Sequence, residues 1–280
     1  PKNYAPWHNI AALLGKLQHY EEAVAAYDRA LAIKATDSEI WHNRGAMLGK
    51  LQQYAQAVDS YDRAISLNPN KYETWYNRGN MLWKLFRYAD AVVSYDRAIG
   101  IQAEKYEVWY NRGAVLGRMQ RYQEAIESYD KAIAIKSNDF ELWHNRGVAF
   151  DKQSLHSSAI ASYEQAIMIK PDCYESWFGK GESLVKLQQK EAAIAAYEKA
   201  IAIKPESYDA WRHLGIVLSA LKRYEEAMVA YDRAIAIKPE NAEAWRDRGA
   251  VVSELKQDTD KIESGEKETE VNPNSVVQNS

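Results

Sequence analysis

The sequence predicts an all-α fold, an α-solenoid built from one helix-turn-helix unit repeated along the chain. Three observations predict it. Trp7, Trp41, Trp75, Trp109, Trp143, Trp177, Trp211 and Trp245 each stand 34 residues from the next. A fixed period of that length marks one supersecondary unit stacked many times. Within each period the apolar residues keep helical spacing in two separate runs, with a short polar turn such as Leu51-Gln52-Gln53-Tyr54 between them.

The first run carries Trp, then Gly four residues on, then Leu three further, as in Trp41, Gly45, Leu48 and Trp75, Gly79, Leu82. These spacings place the three on one helical face. The second run carries Ala57, Tyr61 and Ala64, copied down to Ala227, Tyr231 and Ala234. Large Trp and Tyr alternate with small Gly and Ala, which predicts a close antiparallel hairpin. Pro69, Pro171, Pro205 and Pro239 follow second helices, where a missing N–H ends helical structure. Glu73, Glu107, Glu141, Glu175 and Glu243 suit the positive end of the next helix dipole.

The units start near residues 4, 38, 72, 106, 140, 174, 208 and 242, and the array is expected to occupy 1–255. The eighth copy decays. Trp245, Gly249 and Val252 build a first helix, but Gly265 stands where Tyr belongs and Glu268 where Ala belongs. A capping helix over about 242–255 is expected, then a charged, degenerate or disordered tail over 256–280. Within that tail Val271-Asn272-Pro273-Asn274 still echoes Leu67-Asn68-Pro69-Asn70.

Composition narrows the function classes. With 36 basic and 39 acidic residues, the formal net charge of −3 argues against a nucleic-acid surface. No apolar run is long enough to insert in a membrane. Cys173 is the one cysteine, which excludes an internal disulfide and suits a reducing compartment, here expected to be cytoplasmic. The chain begins at Pro1 without an initiator Met, so a fragment of a longer protein is expected. His8, His42, His144, His156 and His213 form no i, i+4 ligand pair. Cys173 has no His at triad spacing, and no glycine-rich phosphate loop is present. No catalytic residue, metal or cofactor is therefore expected.

The period, the Trp-Gly pair, the Ala-Tyr-Ala run and the closing Pro resemble the tetratricopeptide repeat over residues 4 to about 255. The resemblance implies a right-handed superhelix whose first helices line a concave groove. Two columns depart from the family pattern. Arg44, Arg78, Arg112 and Arg146 stand where Leu is usual, and Leu48, Leu82, Leu116 and Phe150 where Tyr is common. The Arg column falls on the core side and needs acidic partners. Arg44 is expected to pair with Asp28 or Asp62, and so on up an internal ladder.

At about 100° per residue, the columns one, two, five, eight and nine positions after Trp point away from it and would face the groove. One is Asn9, Asn43, Asn77, Asn111 and Asn145. An amide can both donate to and accept from an extended backbone. A second is His42, Tyr76, Tyr110 and His144, and a third is Lys50, Lys84, Arg118 and Lys152. The cations would favour acidic side chains or a terminal carboxylate. Local backbone bonding accounts equally for a helical Asn, and exposure is the ordinary state of Lys. Gly15, Gly49 and Gly117 lie on the same side, each costing about 0.8–1.0 kcal/mol relative to Ala, which suggests groove space. The expected function is a non-catalytic scaffold that binds an extended segment of a protein or peptide partner. The alternatives are a regulatory or substrate-recruiting arm of a larger enzyme or sensor, and a structural solenoid that self-associates end to end through its open N-terminal face.

Overall fold

The structure, a computed structural model, describes residues 3–270, and its regular secondary structure there is entirely α-helical. It divides into two compact units, Pro1–Ser154 and Leu155–Ser280. The first unit holds α1 (Ala5–Lys16), α2 (Tyr20–Ile33), α3 (Ser38–Lys50), α4 (Tyr54–Leu67), α5 (Tyr72–Lys84), α6 (Tyr88–Ile101), α7 (Tyr106–Arg118), α8 (Tyr122–Ile135) and α9 (Phe140–Lys152). The second holds α10 (His156–Ile169), α11 (Tyr174–Lys186), α12 (Lys190–Ile203), α13 (Tyr208–Ala220), α14 (Tyr224–Ile237) and α15 (Ala242–Glu270). Each unit is a stack of antiparallel hairpins, an α-solenoid in which every hairpin packs on its sequence neighbours.

Tyrosine packing on glycine sets the closeness of each hairpin. A Cβ added to Gly79 would stand 2.6 Å from Tyr95 Cε1, and one on Gly45 2.9 Å from Tyr61 Cε1. Gly181 with Tyr197 and Gly215 with Tyr231 repeat this in the second unit. Tyr61, Tyr95, Tyr197 and Tyr231 are among the largest fully buried side chains. Tryptophan has a different job from the expected one. It is only half-buried, and its indole N–H donates to the carbonyl six residues earlier, Trp75 to Pro69 at 2.8 Å and Trp211 to Pro205 at 2.8 Å. The ring therefore clips the inter-hairpin turn.

Within hairpins the turn is three residues long, and its middle residue takes a left-handed conformation, with φ near +60° at Gln52, Gln120 and Gln188. Amides of the turn then return to the helix end, Gln53 N–H to Leu48 O at 2.9 Å.

The Arg column pairs with the acid of the preceding hairpin. Arg44 Nε reaches Asp28 at 2.7 Å, Arg78 reaches Asp62 at 2.6 Å, and Arg112 reaches Asp96 at 2.7 Å. The second unit substitutes Lys180 with Glu164 at 2.8 Å. A third partner was not foreseen. Arg44, Arg78 and Arg112 also donate at 2.7 Å to the hydroxyls of Ser60, Ser94 and Ser128 on the second helix of their own hairpin. The ladder is not internal, because its aspartates are about half exposed, 51% at Asp28.

Consecutive first helices approach one another in the first unit, α1 with α3, α3 with α5, α5 with α7 and α7 with α9. Consecutive second helices make no comparable approach among the described residues. The stack therefore curves with its first helices on the inside.

The last helix differs from expectation. α15 does not end near 255 but runs to Glu270, where a turn and second helix would otherwise form. Gly249 shows the reason: a Cβ there would meet nothing within 4 Å, because no tyrosine follows to pack on it. Without an apolar face to fold back, the helix simply continues. The echo at 271–274 lies outside the described residues.

Gly79→Val should lower the unfolding free energy by about 1–3 kcal/mol through overpacking against Tyr95. Gly117→Ala, placed in open space, should raise it by up to about 1 kcal/mol through helix propensity. Urea unfolding followed by circular dichroism measures both, and equal shifts for the two would refute the packing account.

Candidate functional site

The inner face of the first unit carries two clefts that share a wall. One has a volume of about 440 Å³ and is lined by Asn80, Trp83, Lys84, Tyr95, Tyr110, Asn111 and Ala114. The other, about 460 Å³, is lined by Trp83, Tyr110, Ala114, Gly117, Arg118, Gln120, Tyr122, Tyr129, Asn145, Val148, Ala149 and Lys152. Trp83, Tyr110 and Ala114 belong to both, so the two form one groove across α5, α7 and α9. A smaller cleft of about 260 Å³ opens on the other side of Tyr110, among Tyr76, Tyr106, Asn111, Glu107, Asp139 and Glu141.

Charge is divided across the groove. Lys84, Arg118 and Lys152 end α5, α7 and α9 on one edge, exposed and without ion-pair partners among the described residues. Glu107 and Glu141 begin α7 and α9 on the opposite edge. The arrangement follows from helix polarity, acids at N-termini and bases at C-termini.

The floor is a network of amides and phenols. Asn111 Nδ2 donates to Tyr76 Oη and to Asn80 Oδ1, both at 3.0 Å. Tyr95 Oη also donates to Asn80 Oδ1 at 2.8 Å. Asn145 Nδ2 donates to Tyr110 Oη at 3.3 Å, and Tyr110 Oη donates to Glu141 at 3.4 Å. Burial pushes the Tyr95 and Tyr129 phenols well above their ordinary range. Tyr110 is raised as well, by burial first and by Glu141 beside it second. All three stay protonated donors at neutral pH.

The structure gathers seven of the anticipated residues at the clefts: Tyr76, Tyr110, Asn111, Asn145, Lys84, Arg118 and Lys152. Asn9 and Lys50 are exposed, and Asn77 and His144 half-buried, but none of them lines these clefts. Asn43 sits 3.4 Å from His8 Nε2, the same link to the preceding repeat that Asn111 and Asn145 make. His42 is a correction. It is only 9% exposed, and its Nδ1 lies 2.9 Å from the hydroxyl of buried Thr74. It joins two first helices and does not face the groove.

Two of the groove glycines are also corrected. A Cβ on Gly15 would stand 2.8 Å from Met47 Sδ, and one on Gly49 3.0 Å from Met81 Sδ, so both make room for methionine. Gly117 alone of the three opens on empty space. Asn80 and Trp83 stand in groove-facing columns but outside the set expected to contact a peptide, and Tyr129, on a second helix, was not anticipated. The signal was present: Asn80 replaces Ala46 and Ala114 in its column, and Trp83 replaces Gly49 and Gly117.

No group of three or more His, Cys, Asp or Glu residues among the described residues could hold a metal ion. No helix there is long and apolar enough to cross a membrane.

Sequence models of the tetratricopeptide repeat match residues 4–37, 38–71, 72–105, 106–139, 144–207 and 178–242. No curated protein sequence matches the chain. Among solved structures, the C-terminal part of a TPR repeat-containing protein from Cytophaga hutchinsonii superposes with a TM-score of 0.76 at 19% identity, covering 86% of this chain and 98% of that one. A tetratricopeptide repeat protein from Parabacteroides merdae gives 0.61 at 15% identity, covering 89% and 98%. YrrB, described as a TPR protein with an unusual peptide-binding site, gives 0.61 at 21% identity, covering 69% and 99%. At these identities the likeness is one of fold.

Burial, and secondarily the Lys71 charge, holds the His42 imidazole below its ordinary value. Folding therefore favours the neutral ring. The associated stability is complete above the unfolded pKa of about 6.5 and declines as pH falls from there toward the folded value. Wild-type protein should lose more stability between pH 7.5 and 5.5 than His42→Gln. Urea midpoints at the two pH values measure this, and identical losses would remove His42 from the account.

Proposed function

Because the chain belongs to the tetratricopeptide repeat family, we propose that it is a non-catalytic protein-interaction scaffold whose groove on α5, α7 and α9 holds an extended peptide segment of a partner. One observation carries the reading: a continuous groove floored by amides and edged by Lys84, Arg118 and Lys152, none of them ion-paired among the described residues. The amide network refines the Asn roles. Asn111 uses its nitrogen on Tyr76 and Asn80, which leaves its carbonyl oxygen to accept a peptide N–H. Asn80 uses its oxygen on Tyr95 and Asn111, which leaves its nitrogen to donate to a peptide carbonyl. Together they present one donor and one acceptor, the complement of a single peptide unit. The cationic edge favours acidic side chains or a terminal carboxylate. The peptide-binding site named for YrrB is consistent with such use of this fold. We assign the protein to a reducing compartment such as the cytoplasm, which suits the buried thiol of Cys173.

Selection of a random displayed-peptide library on the wild-type protein should enrich acidic sequences. The triple variant Lys84→Glu, Arg118→Glu, Lys152→Glu should recover them at least tenfold less well with its helicity unchanged. Equal recovery by the two proteins would overturn the groove reading.

A second reading rests on α1. Ile10 and Leu13 on α1 and Leu17 at its C-cap are exposed, an apolar surface suited to self-association. Sedimentation at rising concentration should show oligomers that Leu13→Glu with Leu17→Glu dissolves. A monomer throughout would eliminate it.

A further inference from the structure

In the first unit, the residue eight after Trp on one first helix lies in register with the residue six after Trp on the next. Gly15 receives Met47 and Gly49 receives Met81 in this way. The same register sets Gly117 on α7 against Ala149 on α9. Both members are small there, and a Cβ on Gly117 would meet nothing within 4 Å. The space so left is part of the 460 Å³ cleft, which both residues line.

Three further features distinguish this stretch of the inner face. Trp83 takes the place of a column glycine and forms a wall. Ala114, like Ala46, offers no amide where α5 has Asn80, so Tyr129 lacks the acceptor that Tyr95 finds. Tyr129 is 4% exposed and lines the cleft, and its hydroxyl has no hydrogen-bond partner among the described residues. That hydroxyl opens on the cleft, unlike the buried Tyr208 hydroxyl, and is free to donate to a bound ligand. The third feature is Phe86. Six of the seven non-glycine residues with positive φ are Gln, Ser or Lys, and the seventh is Phe86, 78% exposed at φ 58°. An aromatic residue in that conformation is uncommon and strained. Its ring lies 6.2 Å from Tyr88, which lies 6.4 Å from Trp83, so an aromatic rim leads into the cleft.

We propose that this cleft is an anchor pocket for one large aromatic side chain, Trp or Tyr, carried on an acidic peptide segment of a partner protein. The inference rests on the groove reading and names its specificity. Tyr129 Oη donates to a carbonyl oxygen of the bound peptide. The ring packs on Trp83 and fills the space between Gly117 and Ala149. Carboxylates beside it in the peptide meet Arg118 and Lys152, the unpaired cations that line the same cleft. Anchoring by one buried aromatic within a polar rim is how binding energy concentrates at interfaces.

The test uses three fluorescein-labelled synthetic peptides in anisotropy titrations with the full chain. The probe is Gly-Ser-Asp-Glu-Trp-Asp-Glu-Ser-Gly. One control replaces its Trp with Ala, and the other replaces its acids with Lys. The probe should bind at least tenfold tighter than either control. Ala149→Met, which copies the chain's own Gly–Met pairing and so fills the cleft without a foreign packing, should abolish the preference over the Trp-free control. Tyr129→Phe keeps the ring and should weaken the probe about threefold. Equal affinity for all three peptides, or a preference untouched by Ala149→Met and Tyr129→Phe, overturns the anchor pocket. If those two variants have no effect while the Lys84, Arg118, Lys152 charge reversal weakens the probe, the pocket fails and the groove reading stands. If the charge reversal has no effect either, both fail. Self-association that Ala149→Met abolishes would assign the pocket to a second copy and likewise overturn the proposal.

Discussion

The contact between a tyrosine ring and a glycine backbone governs the rest of this molecule. Gly79 forgoes a Cβ that would stand 2.6 Å from Tyr95, and the two helices of the hairpin approach to that limit. A helical glycine is destabilising by itself, by about 0.8–1.0 kcal/mol relative to alanine. The buried ring offsets that loss through apolar burial and dispersion. Everything else takes its position from the resulting spacing. It brings Arg78 Nη1 within 2.7 Å of Ser94 Oγ, and it sets the register in which first helices meet. Where no tyrosine exists to pack on Gly249, α15 runs on without a hairpin.

The fold was legible because each repeat restates it. A single Trp-x3-Gly would say little, but the same spacing at Trp41, Trp75 and Trp109 leaves one interpretation of phase. What phase could not give was depth. Trp shares a helical face with Gly, yet it sits at the hairpin's edge and closes a turn through its indole N–H. Nor could phase reveal the serine in the Arg ladder, although composition held a trace of it. Arg44, Arg78 and Arg112 accompany Ser60, Ser94 and Ser128, whereas Lys180 and Leu214 accompany Ala196 and Ala230. The buried hydroxyl occurs where a guanidinium is there to donate to it, as the desolvation of an unpaired polar group would require.

The candidate site was legible in part, for a related reason. Periodicity shows which columns face inward but treats every member of a column alike. His42 and Tyr76 share a column, yet Thr74 draws His42 into the interface while Tyr76 remains at a cleft. The groove is shaped by places where a column breaks its own rule: Asn80 among alanines, Trp83 among glycines, Ala149 where Met47 and Met81 precede it. Regularity builds the stack, and the exceptions distinguish one stretch of its inner face from the others.

The reach of the contacts has a kinetic meaning. Side-chain hydrogen bonds such as Asn111 to Tyr76 and Arg212 to Asp247 join positions 35 apart, about one repeat. Among the described residues, helices pack on elements at most two away in sequence, so little loop-closure entropy stands between the unfolded chain and its first stable hairpin. Folding can begin at any hairpin and spread to its neighbours, and local damage is felt about one repeat in each direction. A chain organised this way can lose the regular pattern over one stretch, as α5, α7 and α9 do, while the hairpins before it keep their own packing.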